Sequence, residues 1–129
     1  ILKQFIKHLT VGENEVVLLD MEAGVEHFGR GVDNSVDLIL MIVDPSFESL
    51  KLTKKIQQLG DSIGKTVFFV LNKVNELVLP TMLESIDDQS KVLAVISTDT
   101  EIARKGLVGD ELMMEIPEIH MLARKILKQ

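Results

Sequence analysis

Residues 16–24 read VVLLDMEAG, and the fold turns on how that stretch is taken. Four apolar residues run straight into Asp20, and the small pair Ala23-Gly24 follows. An apolar run with no polar face predicts a strand covered on both sides, as in a parallel sheet. An acid at the carboxyl end of such a strand stands where open α/β sheets bind their ligands. There a carboxylate can hold Mg²⁺ through water, and a glycine can bring its backbone N–H close to a phosphate. Acids also cap helices, so Asp20 keeps two readings at this point, ligand-facing group or N-cap.

Upstream, Leu2, Phe5, Ile6 and Leu9 are spaced for one face of an amphipathic helix, with Gly12 beyond its end. Downstream, Gly24, Gly29 and Gly31 interrupt residues 25–34 and leave room for a short, loosely held helix at most. Residues 37–43, DLILMIV, form a second interior strand. Asp44-Pro45-Ser46 then turns the chain into a helix that Asp44 or Ser46 can cap. Leu52, Ile56, Leu59 and Ile63 line its inner face, Lys54 and Lys55 suit its last turns, and Gly60 ends its regular part. A third strand, residues 67–71, leads into Asn72-Lys73, and Pro80 starts a short helix through Ile86. A fourth strand, residues 92–96, runs to Ser97-Thr98-Asp99 and a short helix near 100–105. Pro117 opens a terminal helix with apolar positions Ile119, Leu122, Ala123, Ile126 and Leu127. Helices alternating with buried strands predict an α/β fold, a parallel sheet of about four strands with flanking helices. No internal repeat or domain boundary interrupts the 129 residues.

With 46% hydrophobic residues the chain can bury one core. Lys+Arg 14 against Asp+Glu 20 gives a net charge of -6, and no basic stripe offers a nucleic-acid surface. There are no cysteines, hence no disulfides or thiolate ligands, and no apolar run is long enough to span a bilayer. A start at Ile1 rather than Met suggests a piece of a longer chain.

The strand ends carry the chemistry. Asp20, Asp44, Asn72-Lys73 and Ser97-Thr98-Asp99 each follow a predicted strand, and a parallel sheet sets such ends along one rim. Asn72-Lys73-Val74-Asn75 is similar to the base-reading N-K-x-D element of GTPases, with uncharged Asn75 in place of the acid that grips guanine. Asn72 retains an amide suited to the amino and N7 edge of adenine, though a strand-end Asn also caps turns. Gly64-Lys65-Thr66 imitates the end of a phosphate loop, but the first glycine of that motif would fall on Leu59. A phosphate loop also runs from strand into helix, and here a helix gives way to a strand. His8, His27 and His120 have no partner at metal-ligand spacing, and the six methionines suit core packing. In the last helix, Arg124, Lys125 and Lys128 beside apolar residues permit membrane contact, but packing on the sheet is the simpler use.

In series these motifs resemble the second half of a P-loop ATPase of the MinD/ParA/nitrogenase-iron-protein (SIMIBI) class. Within it they are most similar to the CooC-like carbon monoxide dehydrogenase accessory ATPases, which serve nickel insertion. The family's strand-end D-M-E-A-G-[IV]-E-H matches residues 20–27, and its R-G matches Arg30-Gly31. Residues 36–56, VDLILMIVDPSFESLKLTKKI, the LNKV at 71–74 and residues 95–106, VISTDTEIARKG, extend the likeness along the chain. The resemblance implies a Rossmann-like P-loop NTPase fold of which residues 1–129 are the C-terminal portion. It assigns Asp20 to a Walker B-type acid acting on Mg²⁺ through water, and Gly24 to a switch glycine that senses the γ-phosphate. Asn72 becomes the adenine-reading amide with Lys73 beside it. Ser97, Thr98 and Asp99 border the base, although many family members have Pro where Ser97 stands. Glu26, His27 and Arg30 fall near the subunit interface or client surface. ATP and Mg²⁺ are the implied cofactors. The implied setting is a cytoplasmic homodimer or oligomer with carbon monoxide dehydrogenase as client, without nucleic acid or membrane span.

The family's phosphate loop, switch I aspartate and C-x-C pair have no counterpart in these residues, so the chain by itself is expected to lack hydrolysis. In the wider class the phosphate-loop strand lies beside the Walker B strand. Without it, residues 16–19 are expected to have an open edge. Two readings compete with the ATPase. One is a receiver-type module with Asp20 as phosphoacceptor and Lys73 as its strand-end lysine, lacking the upstream acid pair. The other is a protein-binding remnant that keeps the surface at 26–30 and binds no nucleotide.

Overall fold

The longest strand is the one with least solvent. In a computed structural model that describes residues 2–21 and 35–129, β2 (Val67–Val74) lies between β1 (Ile39–Val43) and β3 (Val92–Ser97). Both pairings are parallel, and β1 meets β2 in unbroken register from Ile39 opposite Val67 to Val43 opposite Leu71. Val67 to Leu71 are all buried, as a strand without a polar face requires. This is the expected α/β fold, a parallel sheet with flanking helices, built from three strands among the described residues.

The helices follow the expected order. They are α1 (Leu2–His8), α2 (Phe47–Ser62), α3 (Leu79–Glu84), α4 (Thr100–Val108) and α5 (Pro117–Leu127), with a 3₁₀ turn at Gln89–Lys91. On one face of the sheet, Met41, Val43, Val67, Phe69 and Leu71 meet Ile56 of α2 and Met82 of α3. Thr53 is buried there, its hydroxyl 2.7 Å from Leu50 O and 2.8 Å from Ser85 O, which ties α2 to the end of α3. On the other face, Phe68, Val70 and Leu93 meet Leu122 of α5, and Lys125 Nζ donates to Leu93 O at 2.7 Å. Of the five apolar positions expected to seat α5, only Leu122 is buried and Ile126 half-buried. No helix among the described residues is long and apolar enough to cross a membrane.

Two expectations are corrected. Residues 16–19 form no strand: they join no ladder, and Val16, Val17 and Leu18 are 59%, 46% and 84% exposed. A strand exists through hydrogen bonds to a neighbour, and among the described residues β1 is bonded along one edge only, to β2. The apolar pattern supplied a preference for extended backbone, and no partner strand among the described residues meets it. Gly60 does not end α2, which continues to Ser62 before Gly64 turns the chain at φ +67°. A Cβ on Gly60 would stand 2.5 Å from Val67 Cγ2 and 2.9 Å from Lys65 O. The glycine is there so that the helix can approach β2, and the longer helix leaves Lys54 and Lys55 at its middle rather than its last turn.

Candidate functional site

Parallel strands put their carboxyl ends on one rim, and there β1 and β2 are joined by side chains. Asn72 Nδ2 donates to Asp44 Oδ1 at 3.0 Å, and Lys73 Nζ donates to Asp44 Oδ2 at 2.7 Å. Asp44 is itself fixed through its backbone N–H, which donates to Ser49 Oγ at 3.1 Å. Ser46, not Asp44, caps α2, accepting from Ser49 N at 3.2 Å. Asp44 is thereby free to face β2.

A bulge aims the residues of β2. Leu71 pairs with Val95 and Val74 with Ser97, so β2 carries one residue more than β3 over that interval. Strict alternation would turn Val74 to the opposite face from Leu71, yet both pack in the same core cluster. The extra residue is accommodated at Lys73, whose φ of +55° is the only positive value at a non-glycine among the described residues. A left-handed backbone at a residue with a Cβ costs about 1–2 kcal/mol. An exposed ion pair returns only about 0.2–1 kcal/mol, so the Lys73–Asp44 contact alone does not hold that conformation. Burial of Val74 contributes a further ~1.5–3 kcal/mol, and Thr98 N donates to Val74 O at 2.9 Å. Such strain persists only where the surrounding structure holds it in place.

Asn75, the counterpart of the guanine-gripping acid, has its side-chain oxygen committed locally. It accepts from Leu77 N at 2.9 Å and Val78 N at 3.1 Å, shaping the entry to α3. Ser97 and Thr98 lie on the same rim through the Val74 pairing, but Asp99 is turned into the N-cap of α4. Its Oδ1 accepts from Glu101 N at 2.8 Å and Ile102 N at 3.0 Å. The structure thus brings together Asn72, Lys73 and Asp44, sets Ser97 and Thr98 alongside, and gives Asp99 a capping role.

Asp20 is exposed in a segment without regular structure. Gly24, Glu26, His27 and Arg30 lie outside the described residues. Among the described residues no three His, Asp or Glu side chains gather as a metal site. Gly64-Lys65-Thr66 sits before the first residue of β2, at the opposite end from Asn72, where it cannot serve the rim. Sequence reasoning finds Asp44 as a strand-end acid and misses its bond to Asn72. The signal for that bond is an acid closing one interior strand and an Asn-Lys closing the next.

The chain has the architecture of an open parallel α/β sheet, a class in which ligands bind outside the carboxyl ends of the strands. Its relatives are more specific. Over 119 residues the chain is 45% identical to an ATP-binding protein of Methanocaldococcus jannaschii, covering 92% of this chain and 47% of that one. A second ATP-binding protein of the same organism is 31% identical over 118 residues, 89% of this chain and 46% of the other. The carbon monoxide dehydrogenase accessory protein CooC of Rhodospirillum rubrum is 34% identical over 110 residues, 84% of this chain and 42% of CooC. The chain spans about half the length of the curated relatives it matches. No family model matches it.

Proposed function

We propose that residues 1–129 are the C-terminal portion of a CooC-like ATPase of the SIMIBI class, and that this portion carries the adenine-contacting rim. The observation that carries the reading is Asn72, an amide fixed at the rim of a parallel sheet, while Asn75 is occupied by backbone N–H groups. An amide pairs well with adenine, and no acid stands where guanine would be gripped. The two ATP-binding relatives point the same way. Of the residues assigned by resemblance, Asn72, Lys73, Ser97 and Thr98 would border the base, with Asp99 holding the start of α4 beside them. Asp20 would act on Mg²⁺ through water and Gly24 would sense the γ-phosphate, both in the intact protein. ATP hydrolysis there would drive metal delivery, with nickel as cargo and carbon monoxide dehydrogenase as client, in a cytoplasmic homodimer or oligomer with Glu26, His27 and Arg30 near the subunit interface or client surface.

No observation favours a receiver module. That reading pairs Lys73 with Asp20, whereas Lys73 Nζ is 2.7 Å from Asp44. Calorimetry with MgATP tests the proposal. The intact protein is expected to bind saturably, and Asn72→Ala to weaken binding about tenfold, the loss of one bidentate base contact. Unchanged affinity in Asn72→Ala would remove this residue from the base site, and no binding at all would leave the protein-interaction reading.

A further inference from the structure

The bond from Asn72 to Asp44 decides which way the amide faces. The two ends of an asparagine amide have nearly the same shape, and their neighbours determine which is oxygen and which is nitrogen. A carboxylate accepts hydrogen bonds and has none to give, so the NH₂ end of Asn72 is the end that faces Asp44 Oδ1, at 3.0 Å. The acid is held in turn: Lys73 Nζ engages its other oxygen at 2.7 Å, and Ser49 Oγ accepts its backbone N–H. What remains free on Asn72 is its carbonyl oxygen and one N–H. Adenine offers the complementary pair, an N6 amino donor beside the N7 acceptor, while guanine shows two acceptors, O6 and N7. A fixed carbonyl oxygen would oppose O6.

We infer that Asp44 is a positioning residue that locks the Asn72 amide in the orientation that accepts adenine and rejects guanine, setting base choice without touching the nucleotide. This rests on the nucleotide-binding function proposed above. Asp44→Asn is the direct probe, because a second amide can present either end to Asn72 and leaves it free to turn over. Binding of MgATP and MgGTP to the intact protein is compared by calorimetry. The preference for ATP over GTP is expected to fall about tenfold in Asp44→Asn, in keeping with the discrimination one bidentate amide gives. Asp44→Glu, which keeps an acceptor-only group, is expected to retain part of the preference. A loss of affinity equal for both nucleotides would mean that Asp44 only supports the rim, and would overturn the assignment. A protein that binds neither nucleotide before any substitution overturns the function proposed above, and this assignment with it. Should Asp44→Asn fold poorly, the side-chain NH₂ resonances of Asn72 in the unsubstituted protein decide instead. One N–H protected from exchange supports the lock, and two equally exchanging protons refute it.

Discussion

Two apolar runs in this chain end in an acid, VVLLD at 16–20 and LMIVD at 40–44, and they meet opposite fates. The second becomes β1, paired residue for residue with β2, and its acid is anchored by Asn72 and Lys73. The first joins no ladder among the described residues, Val16, Val17 and Leu18 face water, and its acid is exposed. Composition does not separate them; partners do. An interior strand needs neighbours on its edges and layers on its faces, and β2 supplies the first while α2 supplies much of the second. Residues 16–19 have the sequence of an interior strand without the interior.

The widest gap between the two regions should appear in stability. Leu71 is fully buried, so Leu71→Ala should lower unfolding free energy by about 2–5 kcal/mol in urea titration. Leu18→Ala, at a residue 84% exposed, should stay within ~0.5 kcal/mol. A cost above about 1 kcal/mol at Leu18 would break the contrast, because only a covered side chain loses that much on truncation. Running the Leu18 pair also in the longer ATPase proposed above sharpens it further. A cost that emerges only there would support the proposal that residues beyond these cover Leu18.

Gly60 tests the same idea on the packed side. Its added methyl would meet Val67 Cγ2 and, 2.9 Å away, the carbonyl of Lys65. The backbone oxygen cannot swing aside as a flexible side chain can. Gly60→Ala should therefore destabilise by ~1–3 kcal/mol, although alanine is the better helix former. A stabilised Gly60→Ala would mean that α2 stands further from β2 than this close approach requires.

The order of elements was legible because β1, β2 and β3 each lack a polar face and because Ser46, Pro80, Asp99 and Pro117 mark helix starts. The rim was legible for the same reason, since strand ends in a parallel sheet share a side. Four features were not. Residues 16–19 carry a strand's pattern, and pattern is silent on whether a neighbour exists. Gly60 reads as a stop because glycine ends helices, yet its position follows from the distance to Val67, a residue on another element. The bulge at Lys73 has no local signature at all: lysine is a poor choice for positive φ, and the register shift follows from where Val74 is buried. Asp44 was seen and its role was not, because its partners lie 28 and 29 residues further along.

The finest test of the comparison lies in the sign of a small difference at Lys73. In ordinary extended backbone, glycine is less stable than alanine by about 0.5–1 kcal/mol, because it has more freedom to lose. At φ +55° the order should invert. Lys73→Ala removes the ion pair with Asp44 and keeps a Cβ in a left-handed conformation that disfavours it by about 1–2 kcal/mol. Lys73→Gly removes the same ion pair, worth about 0.2–1 kcal/mol, and relieves the strain. The two losses and the one gain in the glycine variant nearly cancel, so it should lie within about 1 kcal/mol of the unsubstituted protein and above Lys73→Ala. Paired denaturant titrations measure that ordering. If alanine proves the more stable, the bulge is not held open in solution, and the residues of the rim are no better fixed than Asp20.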